Sequence, residues 1–219
     1  SYAVLSCDGS HEKMACGDPR ALAKVAILDP ELTASMPLSV ARLTALDALS
    51  HALESAVCIK RTAESQEVSI EAFRKIEPVI EAVLSGTATL AQRGEMLLGA
   101  ALAGKAIEAS MLGGAHASAN PLTAAFGIVH GRAVLTMLPS VLRWNALVVG
   151  EIYEEMRADL TEWVESLREL AGLDPVSVPA DKIPWLASEA ARQWTGQFNP
   201  RALAAEDFEA IYRDALTIT

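Results

Sequence analysis

Asp47 and His51 stand four residues apart in a segment whose apolar residues recur every three or four positions. On a helix, residues i and i+4 share one face with Cβ atoms about 5–6 Å apart, so both side chains can point at one ion. Their neighbours are mostly apolar, and a buried carboxylate is costly unless it is paired or bound to a metal. A hydrogen bond between the two side chains across one helix turn is the alternative interpretation.

Two further histidines, His116 and His130, flank an uncharged, glycine-containing stretch. Small residues stand beside each of them and would let backbone and ion approach closely. One carboxylate and three imidazoles predict a divalent-metal site, and a set without thiolate suits Fe(II), Zn(II) or Mn(II). Open coordination positions would let the metal act as a Lewis acid on a substrate oxygen. The alternative is one core histidine and one helix-capping histidine.

The elements that must position these residues are mostly helices. Three short apolar runs bounded by Gly, Asp and Pro predict strands at 2–7, 13–16 and 24–28. From residue 38 onward the apolar spacing becomes helical and predicts about eight helices. They are expected near 38–53, 64–84, 90–111, 116–125, 134–144, 151–170, 184–195 and 205–215. Pro78 should kink or split the second of them.

Composition narrows the classes of function. Half of the residues are hydrophobic (51%), which argues against disorder, and the net charge of −10 argues against nucleic-acid and anionic-membrane partners. Residues 109–131 lack Asp, Glu, Lys and Arg over a length that could span a bilayer, but their His, Asn, Pro and Gly content does not suit lipid contact. We interpret this stretch as a buried, irregular active-site region.

The remaining chemistry-bearing residues have simpler interpretations. Cys7, Cys16 and Cys58 lack metal-ligand spacing and are expected to be free thiols in a reducing cytoplasm. The fourth histidine, His11, lies in a polar turn and is expected to be exposed to solvent.

Four stretches resemble the second half of iron-containing (group III) alcohol dehydrogenases and follow that family's order and spacing. They are residues 27–33 followed by 36–37, residues 44–54, residues 113–122, and residues 127–131 leading to 137–139 and 143–145. The resemblance implies a mainly α fold, with an all-helical, dehydroquinate-synthase-like C-terminal domain at 31–219. Residues 1–30 would then be the last strands of an otherwise absent nucleotide-binding domain.

The resemblance also implies a ligand set and a reaction. Asp47, His51, His116 and His130 would bind Fe(II) or Zn(II), and the complete enzyme would use NAD or NADP on a small-molecule alcohol or aldehyde. A cytoplasmic enzyme and a possible homodimer are expected. The sequence has no glycine-rich dinucleotide loop, so the 219-residue chain is expected to be inactive alone. The alternatives are a maleylacetate-reductase-like enzyme and a catalytically silent helical metal-binding module.

One departure from the family concerns catalysis. Many members carry a further histidine four residues after the third ligand, where this chain has Asn120. Asparagine forms hydrogen bonds but cannot relay a proton at neutral pH. We interpret Asn120 as a catalytic-site residue that contacts substrate, and a structural turn before Pro121 is the alternative.

Overall fold

The computed structural model describes residues 2–6 and 13–219, and most of them are helical. Two antiparallel strands come first, β1 (Tyr2–Ser6) and β2 (Lys13–Gly17). Short 3-10 turns follow at Pro19–Ala21 and Pro30–Thr33. The predictions for Cys7 and His11 fall outside the described residues.

Eight α-helices make up the rest of the described chain, as the apolar spacing predicts. They are α1 (Leu38–Val57), α2 (Ala63–Ser85), α3 (Leu90–Ala109), α4 (Gly114–Phe126), α5 (His130–Met156), α6 (Leu160–Leu170), α7 (Ile183–Ala191) and α8 (Ala205–Ala215). A short parallel pair, β3 (Ser177–Val178) and β4 (Thr217–Ile218), joins the segment before α7 to the end of the chain. The prediction of a mainly helical fold is confirmed.

Local sequence signals explain where the long helices begin and end. Thr62 and Thr89 each form a capping box, in which a hydroxyl and a side chain three residues later satisfy the first free N–H groups. Helix α2 ends at Gly86, whose φ of 76° is a left-handed conformation that glycine adopts without steric cost. Pro78 lies inside α2 without splitting it.

Helix α1 is the centre of the fold. It packs against α2 and α3 on one side and against α5 on the other. Leu46, Leu49 and Leu53 of α1 are fully buried, and each such side chain contributes about 1.5–3 kcal/mol of burial free energy. The Ser55 and Ser69 hydroxyls meet at 2.8 Å between α1 and α2. The helix that carries Asp47 and His51 is therefore held on several sides.

Two of the predicted elements are wrong. In the described part of the chain, residues 24–28 are not a strand, and Val25 and Ile27 are 78% and 87% exposed. The helix predicted at 151–170 is broken, because α5 ends at Met156 and α6 begins at Leu160. Arg157 and Asp159 form a 2.7 Å ion pair in the break. The division of the chain at residue 30 stays a prediction.

Helix α5 is the only described helix that is long and apolar enough, by itself, to cross a membrane. In its most apolar part, 67% of the residues are buried. Such burial is typical of the core helix of a folded domain. The helix is kinked at Val149, whose φ of −133° and ψ of 20° are not helical.

Candidate metal centre

Three helices bring the four predicted ligands together. Asp47 and His51 project from the middle of α1, His116 from the first turn of α4, and His130 is the first residue of α5. The Asp47 carboxylate lies 3.6 Å from His51 Nε2, 3.6 Å from His116 Nε2 and 3.9 Å from His130 Nε2. One nitrogen of His51, one of His116 and an Asp47 oxygen lie within 4.8 Å of one another.

This spacing fits donors around one ion. Ligand atoms about 2.0–2.2 Å from a tetrahedral metal lie about 3.4 Å from each other. The 3.6 Å separations are too long for a hydrogen bond, so the geometry does not favour a simple Asp47–His51 hydrogen bond. Within the part of the chain that the structure describes, Asp47 Oδ1 and His116 Nε2 are buried without a hydrogen-bond partner. An unsatisfied buried polar atom costs about 1–3 kcal/mol, and a divalent ion would satisfy both.

Charge at the cluster follows from burial and proximity. Burial alone would raise the pKa of Asp47, but the nearby imidazoles outweigh it and hold this pKa well below its usual range. Burial would lower the pKa of His116, but its contacts with Asp47 and Glu54 raise it to about 9. Burial, together with the charge of His116, lowers the pKa of His51 to about 4. The carboxylates of Asp47 and Glu54 therefore favour positive charge at His116.

A glycine permits the close approach of two of the helices. A Cβ at Gly131 would lie 2.6 Å from the backbone oxygen of Leu43 in α1. Any larger residue would push the start of α5 away from α1. The residue after His130 therefore sets how closely that histidine can approach Asp47.

Glu54 belongs to the same cluster, although the sequence did not predict a role for it. Its side chain is 3% exposed. One carboxylate oxygen accepts the N–H of Ala115 at 2.7 Å, and the other lies 2.5 Å from His116 Nδ1. Glu54 follows His51 by three residues and Asp47 by seven, a helical spacing that could have placed it on the same face.

Asn120 lies in α4, one turn after His116 and half-buried. Its Nδ2 donates a hydrogen bond to Gln193 Oε1 at 3.1 Å. The turn alternative does not hold, because Asn120 and Pro121 are both inside the helix.

A cavity of about 220 Å³ lies between α1, α2 and α3, near the 3-10 turn that ends at Thr33. Its lining is mostly apolar and includes Ala45, Val83 and Leu97. The lining, as far as the chain is described, contains none of the four predicted ligands.

The fold and the cluster together define a helical domain that can hold one divalent ion. The C-terminal part of the Fe-containing alcohol dehydrogenase family matches residues 41–216, and the chain belongs to this family.

Three related proteins show how far the likeness extends. The lactaldehyde reductase of Escherichia coli K12 is 30% identical over an alignment of 232 residues, gaps included. The alignment covers 97% of this chain and 60% of that protein. Long-chain-alcohol dehydrogenase 1 of Geobacillus thermodenitrificans is 36% identical over 90% of this chain and 55% of its own length. The crystal structure of an iron-containing alcohol dehydrogenase from Thermotoga maritima superposes with a TM-score of 0.86 at 28% identity, over 98% of this chain and 59% of that one. The chain spans about 60% of the length of the Escherichia coli reductase and of the Thermotoga maritima enzyme.

Proposed function

We propose that this chain is the metal-binding part of an NAD(P)-dependent alcohol dehydrogenase, in which Asp47, His51, His116 and His130 hold Fe(II). The observation that carries the proposal is the pair of buried, unsatisfied atoms Asp47 Oδ1 and His116 Nε2, which face each other at 3.6 Å. Membership of the iron-containing family favours iron. Zinc is supported only by the donor types.

The cluster has an inner side and an open side. His116 is 5% exposed, whereas Asp47, His51 and His130 are each about a quarter exposed. A substrate oxygen would therefore approach from the side of His51 and His130. When bound, the ion supplies Lewis acidity that polarises an alcohol or carbonyl oxygen. Asp47 contributes the negative charge that retains the cation, and buried His116 excludes water from the inner side.

The substrate is proposed as a class only. The names of two relatives, a lactaldehyde reductase and a long-chain-alcohol dehydrogenase, indicate that alcohol and aldehyde chemistry persists while the carbon-chain length of the substrate changes. No contact among the described residues specifically favours a maleylacetate-reductase-like enzyme or a silent metal-binding module. The cytoplasmic location and the homodimer stay predictions.

The nicotinamide nucleotide is proposed to bind outside this chain's helical part. Dinucleotide pyrophosphates are held by glycine-rich turns at helix N-termini, and the sequence contains no such glycine fingerprint. We therefore expect the 219-residue chain to form no NAD(P)H from alcohols. Detectable formation in a preparation free of other dehydrogenases would show that the cofactor site has been misplaced.

Iron content tests the ligand set directly. Asp47→Ala and His130→Ala should each lower Fe(II) affinity by orders of magnitude, measured by elemental analysis and by competition with a chelator. Asp181→Ala is the matched control, because this carboxylate is 74% exposed and paired only loosely with Lys182 at 3.7 Å. Full iron content in both site variants would refute the ligand assignment.

Kinetics of the complete enzyme test Asn120. If its amide contacts substrate, Asn120→Ala should raise KM or lower kcat with iron content intact. Asn120→His should shift the pH dependence of kcat toward a group that titrates near neutrality. Gln193→Ala is the control, because it removes the hydrogen-bond partner and leaves the amide in place. If Gln193→Ala reproduces the kinetics of Asn120→Ala, Asn120 is a brace between helices and not a substrate contact.

A further inference from the structure

We propose that Glu54 is a positioning residue, which fixes the tautomer and ring orientation of His116 so that Nε2 is left to bind the metal. The inference rests on the proposed function and deepens it. Nothing in the four-ligand set by itself determines which nitrogen of His116 faces the ion. Glu54 supplies that choice from the opposite side of the ring.

The hydrogen-bond pattern around Glu54 leaves one assignment for the proton. The Ala115 N–H can only donate, so Glu54 Oε1 must accept it at 2.7 Å. Glu54 Oε2 lies 2.5 Å from His116 Nδ1, and two groups at that distance need one proton between them. Because an imidazole nitrogen is more basic than a carboxylate oxygen, that proton belongs on Nδ1. A proton on Nδ1 leaves the lone pair of the neutral imidazole on Nε2, the atom that faces Asp47 Oδ1 at 3.6 Å.

The surrounding backbone is shaped to let this carboxylate reach α4. A Cβ at Gly113 would lie 3.0 Å from Glu54 Oε1 and 2.9 Å from Asn199 Oδ1. A larger residue would therefore collide with both side chains that accept hydrogen bonds from the first two N–H groups of α4. Asn199 Oδ1 accepts the Gly114 N–H at 3.1 Å, one residue before the N–H that Glu54 accepts.

Helix α1 thus acts on the site in two ways. Asp47 and His51 contribute donor atoms directly, and Glu54, further along the same helix, orients a donor that belongs to another helix. Because Glu54 is buried at the junction of α1 and α4, water cannot take over its acceptor role.

Glu54→Gln separates this role from a general packing role. The amide has nearly the same shape but only one acceptor oxygen, whereas Ala115 N–H and His116 Nδ1–H are two donors. If the amide oxygen keeps Ala115, its NH2 group faces His116 Nδ1. The imidazole proton must then move to Nε2, where it competes with the metal.

Asn199→Ala is the matched control. It removes the acceptor for the neighbouring N–H of the same helix start, together with the contacts to Asn145 and the Arg201 carbonyl, and leaves the Glu54–His116 pair untouched. If Glu54 serves only to cap α4, both substitutions should affect the metal equally. If Glu54 positions His116, only Glu54→Gln should change the tautomer.

Two measurements on the full 219-residue chain test the proposal. The first is the nitrogen NMR signature of His116 in metal-free protein, assigned by its loss in His116→Ala and recorded at a pH at which the ring is neutral. The second is Fe(II) affinity by chelator competition. We expect the proton on Nδ1 in the unmodified protein and in Asn199→Ala, and on Nε2 in Glu54→Gln. Iron affinity should fall about 10–100-fold in Glu54→Gln only.

These outcomes distinguish a failure of the Glu54 proposal from a failure of the proposed metal-binding function. A proton on Nε2 in the unmodified protein overturns the role of Glu54, and no substitution needs to fold for that result. Unchanged tautomer and affinity in Glu54→Gln overturn it as well. An unmodified chain that binds no iron but carries the proton on Nδ1 refutes metal binding by the 219-residue chain while supporting the Glu54–His116 geometry.

Discussion

Gly131→Ala measures how closely the helices of the site must approach. The new methyl carbon would lie 2.6 Å from the Leu43 oxygen and 3.2 Å from the Leu43 carbonyl carbon. Because these atoms belong to the backbone of α1, the start of α5 must move by about half an ångström. Such overpacking costs about 1–3 kcal/mol, and the helix preference of alanine over glycine returns about 0.5–1 kcal/mol.

The same movement displaces His130, the neighbouring residue. Metal–ligand distances in a good site hold to about 0.2 Å, so the shift should weaken Fe(II) binding about tenfold or more. Thermal unfolding of the metal-free protein and chelator competition measure the two effects separately. Gly104→Ala is the control, because a Cβ there meets no atom within 4 Å, and it should leave iron affinity unchanged. Wild-type stability and iron affinity in Gly131→Ala would refute the close-approach argument.

Two further predictions concern stability. Gly99→Ala should destabilise the protein by about 1–3 kcal/mol, because its Cβ would lie 2.5 Å from Ile76, whereas Gly104→Ala on the same helix should stabilise by about 0.5–1 kcal/mol; equal unfolding midpoints would contradict this. Burial would raise the pKa of Asp214, but its ion pair with Arg143 at 2.6 Å lowers this pKa below its ordinary value. The pair therefore contributes stability above the ordinary carboxyl pKa that is lost as pH falls toward the lowered value, and Asp214→Asn should flatten this acid dependence of the unfolding temperature.

Much of the helical framework could be predicted, because helix periodicity is a local signal. Helix α8 was predicted at 205–215 and is observed at Ala205–Ala215. The position of Asp47 and His51 on one helix face could likewise be predicted, because it depends on a single helix turn. The strand predicted at 24–28 failed because a strand needs a pairing partner, and no apolar run records whether one is present. The single helix predicted at 151–170 failed because the backbone at Arg157 is extended, and the apolar spacing continues across this break without recording it.

The candidate site could be predicted only in part, for a related reason. Asp47 and His51 share a helix, whereas His116 and His130 were identified from composition and resemblance and not from geometry. Glu54 was missed because its partner His116 is 62 residues away, and in the sequence it looks like an ordinary helical glutamate. Asn199 has the same property, since it accepts an N–H 85 residues earlier.

Helix α4, which carries His116, is held by side chains from the end of the chain. Gln193 accepts from Asn120, Asn199 accepts from Gly114, and the Tyr212 hydroxyl donates to the Ser118 carbonyl at 2.6 Å. A ribosome makes the chain from the N-terminus, so all four candidate ligands emerge before any of these three braces. Helix α4 therefore acquires all three contacts only after α8 has been synthesised. A nascent or prematurely terminated chain would therefore present the four candidate ligands without these three contacts on α4.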